Sequence, residues 1–152
     1  MSDNKEITKD LKLHKKEIAK RQIDTAIEIF LAGKDYLSAV TLAGAGEEIL
    51  GKLLIRHSKK NMVAYLKELD KRLSEGREFK IVNREINGFR NSLKHANNEA
   101  EDEIDVAEGQ EHAIAMLSRS LTNYASFEGR LSEKMEQFLQ WLRDNKPDLF
   151  KP

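Results

Sequence analysis

From Ile23 to Leu142 the apolar residues of this chain return every three or four positions with no proline among them, since its two prolines are Pro147 and Pro152. Three-to-four spacing is the period of a helix face, whereas strands require alternation. Proline-free periodicity sustained over that distance predicts an all-α chain, a helical bundle of about five to six helices. At 152 residues one domain is expected, able to bury roughly 68–70% of its unfolded surface. No internal repeat, low-complexity tract or linker divides it. The expected organisation is a basic N-terminal extension over residues 1–15, helical or mobile, followed by one bundle over 16–152.

The elements can be placed from their faces and caps. Ile23, Ala26, Ile27, Phe30 and Leu31 form the apolar face of a first helix, and Gly33 followed by Asp35 reads as a C-cap and then the next N-cap. The second helix, about Tyr36 to His57, carries Leu37, Val40, Leu42, Ala43, Ile49, Leu50, Leu53 and Leu54 around most of its circumference, as a central helix would. Gly44, Gly46 and Gly51 suit close approach of neighbouring helices. A third helix is expected over Met62 to Leu73, ended by Ser74 to Gly76. In the fourth, Val82, Ile86, Phe89 and Leu93 keep helical register through Asn87-Gly88, so a continuous helix is preferred to a turn there. A fifth helix is expected from about Val106 to Phe127, with Asp105 and Glu108 at capping-box spacing. Leu131, Met135, Phe138 and Leu142 line a sixth, which ends at Pro147.

Composition removes several kinds of chemistry. There is no cysteine, hence no disulfide framework, thiolate zinc site or thiol nucleophile. The residues three positions before His14, His57, His95 and His112 are Leu, Leu, Ser and Gly, so the Glu-x-x-His pairs of a di-metal bundle are missing. The acidic stretch EAEDEIDVAE lacks the glycine and ligand spacing of a calcium loop and reads as a solvated connection. Nothing calls for a metal or a cofactor. With 26 basic and 26 acidic residues the net charge is zero, which argues against a generic nucleic-acid binder. The charge is nevertheless segregated. Lys5, Lys9, Lys12, Lys15, Lys16, Lys20 and Arg21 crowd the N-terminus; Lys52, Arg56, Lys59 and Lys60 form a second basic cluster; Glu99 to Glu111 is wholly acidic. The beginning of the chain has no signal-like apolar region, and no apolar run approaches the roughly 20 residues of a membrane span. A cytoplasmic protein without membrane contact is expected.

The stretch FRNSLKHANN is the unusual one. Asparagine is a poor helix former, placed in helices where its amide does something lysine or glutamate could not. On a continuous helix Asn83, Asn87, Asn91 and His95 form one drifting line, with Arg90 and Lys94 in a second line beside it. Arg90 can engage two oxyanion oxygens, Asn91 can orient a ligand, and His95 can exchange a proton near neutral pH. These are the parts of a metal-free phosphodiesterase; scattered on a helix face they are also ordinary surface residues. Glu47 is an independent signal, because it places a carboxylate inside the apolar series Val40, Ala43, Leu50 and Leu54. A buried carboxylate requires a partner, and Arg90 is the expected one. The alternative puts Glu47 at the edge of the stripe.

The order Arg90-Asn91-Ser92-Leu93-Lys94-His95 resembles the R-x(4–6)-H motif of the HEPN superfamily, including its frequent Asn after the Arg. AIEIFLAGKDYLSAVTLAGAGEEILGKLL, NGFRNSLKHANN and FLQWLRDNKPDLF resemble, more widely, a group of small prokaryotic HEPN-like proteins, over about Ala26 to Phe150. The resemblance implies an up-and-down bundle that forms a homodimer, with the motif helices facing across a cleft. It also implies one of two functions. Active members are metal-independent endoribonucleases of toxin and defence systems: His95 would act as general acid or base on the ribose 2′-hydroxyl, Arg90 would stabilise the transition state, Asn91 would orient the phosphate, and the products would carry 2′,3′-cyclic phosphates. Glu47, Asn87 and Lys94 would support that set. Inactive members bind a nucleotide, RNA or a partner protein through the same cleft. The position at which toxin members paired with a nucleotidyltransferase carry a Tyr is Asn97 here, so that pairing is not implied. A bundle without any ligand would leave the asparagine face and Glu47 unexplained.

Overall fold

A left-handed residue ends one helix and a carboxylate begins the next, and these two local events fold the first half of the chain back on itself. In a computed structural model, which describes residues 12–64 and 87–150, helix α1 spans Lys15–Ala32 and helix α2 spans Tyr36–Arg56. Gly33 adopts φ 66° and donates its N–H to the Phe30 carbonyl, a conformation that costs glycine little and other residues more. Asp35 then accepts the Ser38 N–H at 3.1 Å. With so short a connection α1 and α2 are packed against one another along their lengths.

The remaining complete helices among the described residues are α3 (Gly109–Glu128) and α4 (Glu133–Asn145), followed by a 3₁₀ turn at Pro147–Phe150. Residues 62–64 and 87–92 are also helical. The molecule is thus an all-α bundle, as its periodicity requires. Helix α2 is central: α1 covers one side and α3 another, while α4 lies on α1. Ala19, Ile23, Ala26, Ile27 and Phe30 of α1 are buried at three-to-four spacing, facing Ala39, Val40, Ala43 and Leu50 of α2. A side chain at Gly46 would stand 2.7 Å from Ile23 Cγ1 and 3.0 Å from the Ala19 carbonyl oxygen, so only hydrogen permits this approach. Phe30 packs edge-on against Phe138 and Trp141, which fixes α4 over α1.

Several expectations change at the edges. Leu31 is 36% exposed and lies outside the apolar face, which is narrower than the sequence suggests. The capping box at Asp105 and Glu108 does not form. Asp105 instead accepts the Ala107 N–H at 2.9 Å, and the helix begins two residues later with no side-chain cap from Glu108. An Asp that bonds the backbone two residues on makes a local turn, and that turn competes with helix initiation. The acidic connection carries a short 3₁₀ turn at Glu99–Glu101, begun by the Asn98 side chain. Of the N-terminal extension, His14 caps α1 through Nδ1, which accepts the Lys16 N–H at 3.0 Å. Residues 1–11, and the expected helix ends between Tyr65 and Ile86, lie outside the described residues.

Helix α4 is tied to α1 by a polar chain. Ser132 accepts the Met135 N–H as N-cap and donates to Asp24 at 2.7 Å; Asp24 in turn accepts from Lys20 at 3.0 Å. The hydrogen bond to Asp24 holds the Lys20 ammonium protonated above its ordinary range. Ser132→Ala removes a cap and a bond to a carboxylate together, and a loss of about 1–2 kcal/mol is expected in urea unfolding.

Asp35 gives the pH dependence. Hydrogen bonds from the Ser38 hydroxyl and then the Ser38 N–H hold its carboxyl below the ordinary 3.8. A depressed carboxyl stabilises the fold above its unfolded value, and the contribution disappears as pH falls through the folded value. Asparagine also caps but does not titrate. Wild type is therefore expected to exceed Asp35→Asn in stability at neutral pH, with the gap closing below about pH 3.8, in urea midpoints measured across the acid range.

Candidate functional site

Glu47 occupies the middle of the buried face of α2, between Ala43 and Leu50, and is 3% exposed. No apolar neighbour can compensate a carboxylate there, so its surroundings must supply cations and donors. Helix α3 supplies the closer one. Arg119 Nη2 donates to Glu47 Oε1 at 2.9 Å and to Asn87 Oδ1 at 3.2 Å. Arg90 approaches from the other side. Its Nη1 donates to the Gly44 carbonyl at 3.1 Å and stands 3.7 Å from Glu47 Oε2. The expected Glu47–Arg90 pair is present, but the hydrogen-bonded partner of the carboxylate is Arg119, a residue the sequence reading did not single out.

The same two helices carry a polar seam on either side of this pair. Ser120 Oγ lies 2.8 Å from the Ala43 carbonyl, one turn before Glu47. Asn123 Nδ2 donates to the Glu47 carbonyl at 3.2 Å, and Asn123 Oδ1 accepts the Met62 N–H at 2.8 Å. Asn61 caps that helical turn by accepting the Ala64 N–H at 2.8 Å and donates to the Gly51 carbonyl at 3.3 Å. Residues 61–64 and 87–92 are thereby attached to the α2–α3 pair through side-chain bonds.

Gly44 explains how Arg90 can lie so close to α2. A Cβ there would collide with Arg90 Cδ and stand 3.0 Å from its Cγ. The bare backbone of Gly44 is the bed on which the arginine rests, and its carbonyl is the arginine's acceptor. Arg90 is only 11% exposed at its side chain, and one face of it reaches a groove of about 280 Å³. Glu47, Glu48, Lys52, Asn61, Asn87 and Arg90 are among the groups lining that groove. On its rim Glu48 stands 3.6 Å from Arg90 Nη1 and 3.5 Å from Lys52 Nζ.

The other expected site residues are distributed differently. Asn87 is buried, with its amide oxygen turned to Arg119 rather than to solvent. Asn91 is half-buried on the same helical segment. That segment is helical through 87–90, as its register through Asn87-Gly88 implies, but it stops at residue 92. Lys94 N–H reaches back only three residues, to the Asn91 carbonyl, and Ser92 Oγ donates to the Phe89 carbonyl at 2.7 Å. These bonds tighten the last turn and compete with its continuation. Lys94 and His95 are exposed and lie past the helix end, so the asparagine line does not extend to His95. His95 is not among the residues lining the Arg90 groove. The histidine that touches this segment is His112 of α3, stacked on Phe89 with ring centroids 3.9 Å apart. Stacking fixes the segment beside the first turns of α3.

Among the described residues no group of three or more His, Asp or Glu is placed to hold a metal ion, and no helix is long and apolar enough to cross a membrane. No family model matches the chain, and comparisons with curated proteins and with solved structures gave no match.

Removing the Glu47 carboxylate leaves Arg119 and Arg90 without their shared anion. Glu47→Ala is expected to cost about 3–5 kcal/mol in denaturant unfolding. Adding Arg119→Met to Glu47→Leu should restore part of the loss, because an apolar pair avoids the stranded charge. A cost below about 1 kcal/mol for Glu47→Ala would mean that the carboxylate is solvated.

Proposed function

We propose that the chain is a HEPN-like homodimeric helical protein that acts by binding, and that the groove beside Arg90 takes the phosphate of a nucleotide or an RNA. The observation that carries this reading is the anchoring of Arg90: Glu47 and the Gly44 carbonyl hold its guanidinium in place while one side of it lines the groove. A guanidinium fixed in this way has lost little further freedom to give up when an oxyanion arrives. Lys52 stands at the rim of the same groove, and Arg56, Lys59 and Lys60 continue the basic surface beyond it along the chain.

The alternative reading, a metal-independent endoribonuclease yielding 2′,3′-cyclic phosphates, needs Arg90 and His95 to converge on one phosphodiester. Helix termination at residue 92 supports the binding reading over it, since His95 is carried out of register with Arg90. A partner protein in the groove is the third occupant the sequence allows, and its buried charge supports it less than a phosphate.

Binding is tested by titrating fluorescent nucleotide and labelled RNA into the protein and into Arg90→Gln. Loss of a charge-assisted contact should weaken binding about tenfold or more. Gly44→Ala, which pushes Arg90 off its bed without removing it, should weaken binding in the same direction. Incubation of end-labelled RNA in EDTA decides the alternative. Cleavage that disappears in His95→Ala would replace the binding reading with the nuclease.

A further inference from the structure

Glu48 is the next residue along α2 from the buried carboxylate, but it faces outward. Its side chain is 45% exposed, and its two oxygens divide between two cations: Oε2 is 3.6 Å from Arg90 Nη1 and Oε1 is 3.5 Å from Lys52 Nζ. Both separations exceed the roughly 2.7–2.9 Å of a charge-assisted hydrogen bond. The carboxylate is therefore near these cations without being locked to either. Glu47 beneath it is different, being buried and hydrogen-bonded to Arg119 at 2.9 Å.

We infer that Glu48 occupies the place of the ligand's oxyanion and acts as a built-in competitor, displaced when a phosphate monoester enters between Arg90 and Lys52. This rests on the groove being the ligand site proposed above. The charge count favours a monoester. Glu47 balances one of the two arginines it meets, so the departure of Glu48 leaves Glu47, Arg119, Arg90 and Lys52 with two positive charges in excess. A terminal phosphate, carrying about −1.5 to −2 near neutral pH, matches them better than the single charge of an internal phosphodiester. Lys52 is 74% exposed at its side chain, and among the described residues Glu48 is tethered by weak pairs alone, so the exchange requires rotation of two surface side chains and leaves the core undisturbed. The structure joins the two roles on adjacent residues: Glu47 fixes Arg90 and Glu48 masks it.

The experiment is isothermal titration of the full chain, its Glu48→Gln form and its Lys52→Met form with adenosine 5′-monophosphate, with adenosine, and with a short RNA bearing either a 5′-phosphate or a 5′-hydroxyl. The gate predicts that Glu48→Gln binds the monophosphate roughly two- to fivefold more tightly than wild type, the worth of an exposed pair. It predicts no such gain for adenosine or the hydroxyl-ended RNA, and a smaller gain when Glu48→Gln is combined with Lys52→Met in a double variant. The gain should shrink as salt is raised. A free nucleotide is the source if the gain appears with the monophosphate alone; an RNA end is the source if the 5′-phosphorylated RNA gains at least as much. Wild-type binding that requires Arg90 but is unchanged by Glu48→Gln would overturn the gate and leave the binding site standing. No binding of any phosphate-bearing probe by wild type or by Glu48→Gln would overturn both. Glu48 and Lys52 are both surface residues, so either variant is expected to fold, and unfolding curves check this.

Discussion

A carboxylate buried at the centre of a helical bundle sets the terms for everything around it. Glu47 cannot be left alone at 3% exposure, because an unpaired charge in that environment would cost several kcal/mol, a large part of a typical domain's stability. Its two oxygens are consequently met by cations from two other parts of the chain, Arg119 of α3 and Arg90 of the 87–92 segment. Three segments spread over 72 residues of sequence are thus required to meet at one point. A charge that must find two partners does not tolerate a shift.

The cost of such an arrangement is limited by the small residues beside it. Gly44 lies one turn before Glu47 and provides the space in which Arg90 lies flat against the helix; Gly51 lies one turn after and accepts Asn61. Ser120 and Asn123 continue the polar contacts on the α3 side: Ser120 Oγ lies against the Ala43 carbonyl, and Asn123 donates to the Glu47 carbonyl while accepting the Met62 N–H. One side of α2 is consequently a strip of bare but buried backbone and short side chains around Glu47, while its other side is ordinary apolar core against α1. A helix with two such unlike faces explains why its apolar residues seemed to surround it: the polar strip is built from glycine and backbone, which hydropathy does not register.

Local features were readable from the sequence because their causes are local. Gly33 and Asp35 act within their own turn, and Val40, Ala43, Leu50 and Leu54 define an interrupted series in which Glu47 is visible as the exception. Its main partner was not visible. Arg119 sits among Met116, Ser120 and Asn123 in the same kind of register, but a long basic side chain at such a position reads as one that reaches past the apolar edge to water. Its only sequence signal is that it is a basic exception on a buried face, as Glu47 is an acidic one. The end of the 87–92 helix was hidden for another reason. Leu93 completes the apolar period, so periodicity carries the helix on toward His95, whereas termination is decided by Ser92 and by the three-residue bond from Lys94, neither of which alters the hydrophobic pattern.

That difference in reach bears on how the Arg90 stretch should be understood. A motif is a spacing along the chain, but chemistry depends on where the spacing delivers its side chains. Four residues between Arg90 and His95 place both on neighbouring faces of a helix only while the helix continues. Once it stops at residue 92, the arginine belongs to the rigid α2–α3 seam and the histidine to an exposed connection running toward the acidic segment. An electrostatic anchor and a mobile acid–base group have different requirements: the first gains from being fixed in advance, whereas the second must be brought to a defined atom at a defined angle. Fixation is provided for Arg90 by Glu47, Gly44 and, through Asn87, by Arg119; among the described residues nothing comparable is built around His95. Buried charge holds one guanidinium at a groove, and under the binding reading proposed above that arrangement would serve recognition of an anion rather than its cleavage.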